Sequence, residues 1–334
     1  MTFRRAILAI ASTAAITLGL VGCAPSEKQA KTDLNFTAFI GDWSDPALVD
    51  ASAPSISVLA VDGINFLPKG RGVGPVSAAS LALLNRARDN DLKAELMVGN
   101  FDPEKRDFSE ALAWQTLSSE KAIQRVVDDV AAEVEANDWN GVSLDIEYLK
   151  ERDAKGLATL CEKLREAIGP DKTISIALML KTTTDKYRAG GYDFERLVPV
   201  VDRFILMAYD QHGSWGPQPG PVGSLEWQRS GVEALLGGVP AEQIELGVAG
   251  YGYSWAPDKR RALGSQQARR LAGEKAVWHE QSGEWTAKVD GAELWWSDIR
   301  SFRLRASLAR ELKLGGVALW SLGTAETITV YDLD

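Results

Sequence analysis

Short apolar runs alternate with helix-length amphipathic segments along most of the chain, and this alternation constrains the fold more than any other feature. Eight runs have the length of buried strands: Asn35 to Gly41, Ile56 to Val61, Ala94 to Asn100, Gly141 to Glu147, Thr173 to Leu180, Arg203 to Tyr209, Ile244 to Tyr251 and Gly316 to Trp320. Segments between them, such as Ser119 to Glu135, carry apolar residues at helical spacing. Eight strand and helix units in ~300 residues predict an α/β fold, a (β/α)8 TIM barrel.

A doubly wound open sheet is the alternative architecture. Such sheets usually bind a nucleotide at a glycine-rich loop after an early strand, and no such loop follows any early run here. The longest connection, from Trp255 to about Ile299, lies between the seventh and eighth runs and contains four further tryptophans after Trp255. We expect it to form a small inserted lobe at about residues 256–299, on the rim that carries the active site.

The first residues have the form of an export signal. Arg4 and Arg5 precede an apolar run that is too short for a comfortable membrane span, and Leu20-Val21-Gly22-Cys23 resembles the lipobox of bacterial lipoproteins. We therefore predict a signal peptide at residues 1–22, acylation of Cys23, a flexible tether at residues 23–33 and the folded barrel at residues 34–334. This makes the protein an extracytoplasmic lipoprotein anchored to the membrane of the cell envelope. An ordinary secretory signal that leaves Cys23 free is the alternative.

The charge and composition of the chain limit the classes of ligand and cofactor that we expect it to bind. Removal of Arg4 and Arg5 with the signal takes the formal net charge from −9 to −11, which argues against nucleic acid as a ligand. The two histidines, His212 and His279, have no metal-ligand spacing with the remaining cysteine, so we expect neither a metal nor another cofactor. We expect a monomer, because a single barrel buries its own core.

The run from Asn140 to Glu147 places polar groups at alternate positions of an apolar strand. Side chains of a strand alternate between faces, so Ser143, Asp145 and Glu147 share one face, with roughly 6.6 Å between successive residues. Buried carboxylates are costly unless they serve a purpose, and such groups cluster at functional sites. The plainer alternative is an acidic pair that ends a surface strand.

At these residues the chain resembles the family 18 glycoside hydrolases, whose fourth-strand motif is Asp-Gly-x-Asp-x-Asp-x-Glu. Asp145 and Glu147 are kept, whereas Asn140 and Ser143 replace the two earlier acidic residues, so we expect any relay through a third carboxylate to be absent. Met207-Ala208-Tyr209-Asp210 and Trp320 match two further family motifs. The segments Met207 to Trp227, Gly99-Asn100-Phe101 and Leu178 to Lys181 are similar to the branch of spore-cortex and cell-wall N-acetylglucosaminidases.

The resemblance implies a role for each motif residue. Glu147 is the implied general acid and base, Asp145 the partner of a substrate acetamido N–H, and Tyr209 the hydroxyl donor to the acetamido oxygen. Asp210 is expected to bind substrate or support the pocket, and Trp320 to form an apolar floor under the sugar. The remaining expected substrate contacts are Ser143, Gln211, His212, Tyr251 and Asn100.

The implied function is retaining, substrate-assisted hydrolysis of β-linked glycans that contain N-acetylglucosamine, such as peptidoglycan or chitin-like oligomers. A lectin-like protein that binds such glycans on the same barrel without cleaving them is the alternative. Further aromatic residues are suited either to sugar stacking or to plain packing, and the sequence leaves this open for Trp43, Trp215, Tyr251, Trp295 and Trp296.

Overall fold

The structure is a computed structural model that describes residues 34–333. Eight parallel strands form a closed barrel, and the last strand pairs with the first, with Asn35 opposite Gly316. In chain order, the first to eighth barrel strands are Asn35–Ile40, Val58–Asn65, Lys93–Gly99, Gly141–Asp145, Thr173–Met179, Arg203–Met207, Ile244–Ala249 and Gly316–Trp320. The predicted (β/α)8 barrel is confirmed.

Helices connect the strands and cover the outside of the barrel. The α-helices of the described residues are Ala47–Ser52, Ala78–Asp89, Glu110–Leu117, Glu120–Ala136, Ala154–Ile168, Thr184–Ala189, Phe194–Leu197, Leu225–Leu235, Ser265–Ala272 and Ile299–Glu311. Short 3₁₀ turns lie at Ala53–Ser55, Glu151–Asp153, Ala241–Gln243, Gly273–Lys275 and Val330–Asp332.

The helix Glu120–Ala136 shows why the amphipathic segments fold as they do. The side chain of Ser119 accepts a hydrogen bond from the backbone N–H of Ala122, which satisfies one of the free donors at the helix start. Its apolar face, including Val126 and Val130, is fully buried against the barrel. Packing of this face, together with the cap, fixes the helix where the sequence periodicity placed it.

The inside of the barrel is charged at its amino-terminal end. Arg203 lies 2.5 Å from Glu95 and 3.2 Å from Glu245, and both carboxylates are fully buried. Thr173 and Ser175 donate their hydroxyl groups to the Glu95 carboxylate. The guanidinium between two carboxylates offsets the cost of burying them.

Above this charged layer lies an apolar layer, and above that the rim. The apolar layer is formed by inward-facing side chains from several strands: Phe39, Ala60, Met97, Ile205 and Ala318. Inward-facing side chains of a (β/α)8 barrel fill its interior, and active sites lie at the carboxyl ends of the strands. The apolar layer therefore separates the charged layer from any site at the rim.

The inserted lobe lies between the seventh and eighth barrel strands, as predicted. Its sheet is antiparallel, with the strands in the spatial order Arg260–Gly264, Tyr251–Trp255, Ala292–Trp296, Glu284–Val289 and Val277–His279. The helix Ser265–Ala272 packs on the sheet. The first lobe strand begins at Tyr251, five residues earlier than the expected boundary, because the chain passes from the barrel strand into the lobe strand through Gly250 alone.

Some predictions fall outside the described residues. The signal peptide, the acylated Cys23 and nearly all of the tether belong to residues 1–33, which the structure does not describe. Within the described part, no helix is long and apolar enough to cross a membrane. The hydrophobic core and the closed barrel are complete within residues 34–333, so we expect a chain starting at residue 24 to fold by itself.

We predict that Arg203→Leu lowers the free energy of unfolding by about 3–5 kcal/mol, because it leaves two buried carboxylates without their cation. Urea unfolding followed by circular dichroism measures this. The matched control is Arg188→Leu, which removes an exposed ion pair with Asp185 and should change stability by less than about 1 kcal/mol. Equal effects of the two changes would show that the buried cluster contributes no more than a surface pair.

Candidate active site

Two cavities open near the carboxyl ends of the barrel strands. The first, of about 190 Å³, contains Glu147, Tyr209 and Asp210 in its wall, and we call it the Glu147 cavity. The second, of about 300 Å³, has Trp320 and Asp62 in its wall, and we call it the Trp320 cavity. The strand ends thus bring together residues from three of the predicted motifs, at the edge where such barrels carry their sites.

Glu147 is held through its backbone by a buried asparagine. The fourth strand ends at Asp145, so Glu147 lies two residues beyond it. The Asn100 side-chain oxygen accepts the Glu147 N–H at 2.9 Å, and its amide nitrogen donates to the Glu147 carbonyl at 3.0 Å. The same nitrogen donates to Ser109. Asn100 is fully buried, so it positions Glu147 and does not reach a ligand as expected from the sequence.

Burial sets the protonation state of Glu147. Desolvation is the largest cause, followed by the nearby charges of Asp145, Asp210 and Asp107, and together they raise its pKa to about 9. A carboxyl group with such a pKa holds its proton at neutral pH. Glu147 is therefore ready to donate a proton to a group in its cavity.

Asp145 is 5% exposed. It interacts electrostatically with Asp62, which lines the Trp320 cavity, and with Glu147, which lines the Glu147 cavity. Burial, and then the charge of Asp62, raise its pKa to about 7. Its Oδ1 atom has no hydrogen-bond partner within residues 34–333. A buried polar atom without a partner is costly, so this oxygen is available to accept a hydrogen bond from a ligand.

Tyr209 follows the sixth strand and reaches the same cavity. Gly247 of the seventh strand leaves room for its ring, since a Cβ atom there would lie 3.1 Å from the ring and 2.3 Å from the Leu206 carbonyl oxygen. Burial, followed by the charges of Asp145, Asp210 and Glu147, raises the pKa of Tyr209 well above its usual value. Its hydroxyl group therefore remains a hydrogen-bond donor.

Asp210 links the barrel to the lobe. Its backbone adopts φ = 64°, a left-handed conformation that is uncommon outside glycine. One carboxylate oxygen accepts hydrogen bonds from the hydroxyl groups of Tyr251 at 2.7 Å and Tyr253 at 2.8 Å. Tyr251 is nearly buried and its hydroxyl group is occupied, so it acts on the site through Asp210.

Trp320 ends the eighth strand in the wall of its cavity. Its ring packs on Phe39 with centroids 5.5 Å apart, and it also contacts the apolar cluster on which Tyr209 packs. The supported ring leaves part of its surface exposed. An aromatic surface of this kind suits stacking with the apolar face of a sugar ring.

The remaining predicted contacts lie at different depths. Ser143 is fully buried, one inward-facing position deeper than Asp145, and the structure does not bring it to a cavity. Gln211 accepts a hydrogen bond from the Ser224 N–H at 2.9 Å, and the His212 ring lies 2.9 Å from the Pro221 carbonyl. Both side chains are partly exposed and stabilise the loop beside Asp210, so contact with a ligand stays a prediction for them.

The structure separates the aromatic residues whose role the sequence left open. Trp43 and Trp215 are 71% and 62% exposed, and Trp43 lines the Trp320 cavity. Trp296 is fully buried and stacks on Trp285 in the lobe. Trp295 is also buried, and its indole N–H donates to Glu293. The first two remain candidates for stacking, and the last two pack the lobe.

Sequence reasoning missed three charged residues at the site. Asp62, from the second strand, lines the Trp320 cavity, and burial, with the charge of Asp42, raises its pKa to about 6. The buried Glu284 carboxylate accepts the backbone N–H groups of Val222 and Gly223, and the buried Arg305 donates to the Gly223 carbonyl. The predicted second run stopped at Val61. Its alternation, continued one step past Ala60, would have placed Asp62 inside the barrel.

Within residues 34–333, no group of three or more histidine, cysteine, aspartate or glutamate side chains could hold a metal ion. The groups that the site does offer are a proton donor, a buried hydrogen-bond acceptor and a phenol donor. This set is suited to moving a proton while it orients an amide-bearing ligand.

We predict that Glu147→Gln stabilises the protein at alkaline pH. The pKa of Glu147 is raised on folding, so its contribution to stability is present below its unfolded pKa and is lost as pH rises toward 9. The uncharged glutamine avoids this loss, so the melting temperature at pH 8 should rise by about 2–4 °C, with almost no change at pH 4.5. Glu151→Gln, at an exposed position nearby, is the control. An equal rise at both pH values would contradict the prediction.

The sequence profile of the glycosyl hydrolases family 18 matches residues 30–325 of the chain. An uncharacterised glycosylase of Bacillus subtilis (strain 168), YvbX, is 23% identical over 283 residues, which cover 80% of this chain and 81% of that protein. The cortical fragment-lytic enzyme of the same organism is 27% identical over 239 residues, 66% of this chain and 55% of the enzyme. The chain thus spans little more than half of this second relative.

Solved structures share the fold. A chitinase from Chromobacterium violaceum ATCC 12472 superposes with a TM-score of 0.79 at 22% identity, over 90% of this chain and 98% of that one. The Bacillus cereus spore cortex-lytic enzyme SleL has a TM-score of 0.78 at 18% identity, over 90% and 73%. The family match spans nearly all of the described barrel, including every motif residue of the site. The chain therefore belongs to family 18 of the glycosyl hydrolases, and it is a glycoside hydrolase, as its sequence predicted.

Proposed function

We propose that the protein hydrolyses β-linked glycans that contain N-acetylglucosamine, with retention of configuration and with the substrate's own acetamido group as nucleophile. The observation that carries the proposal is the pairing of a proton-bearing Glu147 with a buried, unpartnered Asp145 oxygen beside the Tyr209 hydroxyl group. An acetamido group needs one acceptor for its N–H and one donor for its oxygen, and Asp145 and Tyr209 offer these.

In the first step, the acetamido carbonyl oxygen attacks the anomeric carbon while the glycosidic bond breaks. Glu147 gives its proton to the leaving oxygen, and Asp145 stabilises the positive charge that develops on the acetamido nitrogen. Tyr209 holds the acetamido oxygen in line for attack. The product of this step is a cyclic oxazolinium ion, with Glu147 now ionised.

In the second step, a water molecule attacks the anomeric carbon from the side that the leaving group vacated. Glu147 takes a proton from this water as general base, and the bond between the anomeric carbon and the acetamido oxygen breaks. Two inversions at the same carbon retain its configuration. Glu147 is protonated again, so the enzyme returns to its starting state.

The burial of Asp145 supports this route over a carboxylate nucleophile. Retaining glycosidases of the other type need a second carboxylate about 5 Å from the acid, positioned to attack the anomeric carbon. Asp145 is 5% exposed and is not among the residues that line either cavity. It is better placed to accept an N–H bond than to form a covalent bond to a sugar ring.

The substrate class follows from the site and from the relatives. The aromatic surface of Trp320 and the exposed Trp43 suit neutral sugar rings. Relatives are named as cortex-lytic enzymes and as chitinases, which supports peptidoglycan and chitin-like oligomers as the two candidates. We favour a substrate in the cell envelope, because the sequence predicts export and lipid attachment.

We predict that Glu147→Gln lowers kcat by at least about 100-fold, because it removes the proton donor with little change in shape. Release of 4-methylumbelliferone from its N-acetylglucosamine, chitobioside and chitotrioside conjugates measures this for a chain starting at residue 24. Asp145→Ala should cost about as much, whereas Ser143→Ala, which removes a buried hydroxyl group without a partner, should leave kcat within about threefold of wild type.

An active Glu147→Gln protein would refute the role of Glu147, and equal losses for Ser143→Ala and Asp145→Ala would show that Ser143 does more than fill space. If wild type is silent on all three conjugates, muropeptide analysis of digested peptidoglycan is the deciding assay. Release of muropeptides by wild type but not by Glu147→Gln would establish a peptidoglycan-specific hydrolase. Silence on peptidoglycan as well would overturn the proposed function.

We further propose that acylated Cys23 anchors the enzyme to a lipid bilayer outside the cytoplasm. The support is the sequence Leu20-Val21-Gly22-Cys23 after a short apolar run. We predict that a Cys23→Ala chain expressed in bacteria loses incorporation of radiolabelled palmitate and no longer appears in the mature membrane-bound form. Unchanged labelling and membrane partition would contradict the anchor.

A further inference from the structure

We propose that a groove beside the Glu147 cavity is a second binding site, which takes a carboxylate that the glycan carries outside the sugar ring under attack. The groove, of about 480 Å³, has Lys105, Lys150 and Arg152 in its wall, and we call it the basic groove. The inference rests on the proposed function, because it adds an anionic substituent to the substrate of the same site.

Residues just beyond the fourth barrel strand form one side of the basic groove. The buried Asp153 carboxylate accepts the backbone N–H of Lys150 at 2.8 Å and so closes the 3₁₀ turn Glu151–Asp153. This turn begins four residues after Glu147 and contains Arg152. The turn fixes the backbone of both cations, while the Lys150 and Arg152 side chains stay 55% and 49% exposed.

The helix Glu110–Leu117 forms the other side. Glu110 and Trp114 lie four residues apart and therefore share one face of this helix. The Arg152 guanidinium donates to the Glu110 carboxylate at 2.6 Å and lies 4.6 Å from the centre of the Trp114 ring. An ion pair and a cation–π contact together hold the guanidinium in place. A guanidinium has five N–H donors, so Arg152 keeps donors for a ligand beyond the one that Glu110 accepts.

The wall of the groove carries more positive than negative charge. Its three cations have one carboxylate among them, that of Glu110, which lies 3.5 Å from Lys150 as well as against Arg152. Two further carboxylates, Asp102 and Asp107, each contact a wall residue but do not line the groove. The whole chain has a formal net charge of −9, so this excess of positive charge is a local feature. It favours an anion, and arginine is well suited to bind a carboxylate through two parallel hydrogen bonds.

The basic groove adjoins both cavities of the candidate active site. Tyr148, in the wall of the groove, directly follows Glu147, in the wall of the Glu147 cavity. Phe108 lines both the groove and the Trp320 cavity. Asn100, which binds the Glu147 backbone, also donates to the carbonyl group of Ser109 in the groove wall. Substituents of a glycan held at Glu147 therefore lie next to the cations of the groove.

A fourth cation lies beside the Glu147 cavity. Lys181 follows Leu180, which lines that cavity, two residues beyond the end of the fifth barrel strand. In the part of the chain that the structure describes, no carboxylate pairs with its ammonium group. Burial, and then the charges of Lys186 and Lys150, lower the pKa of Lys181. A bound anion would offset this effect, because it stabilises the charged ammonium group.

Peptidoglycan carries two kinds of carboxylate that fit the groove. In strands that keep their peptides, the carboxylates are on the peptide stems, because the lactyl groups are linked to the peptides as neutral amides. In strands stripped of peptides, the lactyl carboxylates are free. Chitin-like oligomers carry neither kind. Strands with non-amidated peptides, stripped strands and neutral chitotetraose are therefore the three probes for the test.

The test is Arg152→Gln, made in a Glu147→Gln chain so that no probe is cleaved. Isothermal titration calorimetry at about 50 mM salt measures the dissociation constants. We expect the constant for peptidoglycan strands, relative to that for chitotetraose, to rise about five- to tenfold, because a charge-assisted hydrogen bond is lost. Arg229→Gln is the matched control. It breaks an arginine–glutamate pair of similar length, 2.7 Å to Glu311, on an outer helix, and should leave the ratio as it was.

Glu110→Gln should change binding in the opposite direction. It removes the carboxylate that competes for Arg152 and Lys150, so strands should bind about two- to fivefold more tightly relative to chitotetraose. A purely structural role of the Glu110 pair would weaken binding of all three probes instead. Circular dichroism verifies that each variant is folded, and weaker strand binding by a folded Glu110→Gln chain would overturn the proposal.

The two kinds of strand identify the carboxylate. A loss in Arg152→Gln on strands with peptides alone assigns the groove to the peptide stem, and a loss on stripped strands alone assigns it to the lactyl group. A loss on both shows that the groove accepts either carboxylate. Each of these results supports the basic groove.

The outcomes separate the two proposals. If Arg152→Gln and Arg229→Gln give the same ratios on both kinds of strand, the basic groove is overturned, while cleavage of a glycan by wild type keeps the proposed function. If wild type cleaves no glycan but Arg152→Gln weakens strand binding as expected, the proposed function fails and the groove stands.

Discussion

Desolvation of carboxyl groups at the carboxyl end of the fourth strand is the constraint on which the rest of this site depends. Burial is the largest cause of the raised pKa of Glu147, Asp145 and Asp62 alike. A general acid must hold a proton at the working pH, and a solvated glutamate would have lost it. The barrel provides the poorly solvated place, and the neighbouring carboxylates add to the effect because like charges oppose ionisation.

The same barrel contains a second cluster of buried carboxylates, and this cluster is stabilised by a cation and not by protonation. Glu95 and Glu245 both lie against Arg203, so one cation stabilises the pair of carboxylates. Within residues 34–333, neither Asp145 nor Glu147 forms an ion pair, although several lysines and arginines lie elsewhere on the surface. One layer is stabilised by a cation and the other by bound protons, and the apolar layer around Met97 and Ile205 separates them. Only the proton-neutralised layer can change its charge during a reaction.

Much of the fold could be predicted because apolar periodicity reports each strand and helix separately. Each of the eight predicted runs overlaps a barrel strand, and the helix Glu120–Ala136 lies where its pattern placed it. For the site, the sequence could predict only which face of a single strand each side chain occupies. Alternation indicated that Asp145 faces inward, but not that Ser143 would be too deep to reach a cavity. Nor could it show that Asn100 would turn its amide to the Glu147 backbone, or that Asp62 would line the Trp320 cavity, because these facts depend on how the strands are arranged in space.

The inserted lobe holds Asp210 and the loop after it in place, and so it influences the shape of the site. Asp210 holds an unfavourable backbone conformation, and such strain persists only where the surroundings fix it. Here the two tyrosine hydroxyl groups from the first lobe strand donate hydrogen bonds to its carboxylate. Glu284 and Arg305 form hydrogen bonds with the backbone of the loop that follows. The chemistry therefore belongs to the barrel, whereas the position of Asp210 and its loop depends on the lobe. Changes in the lobe should alter the fit of the ligand before they alter the acid that cleaves it.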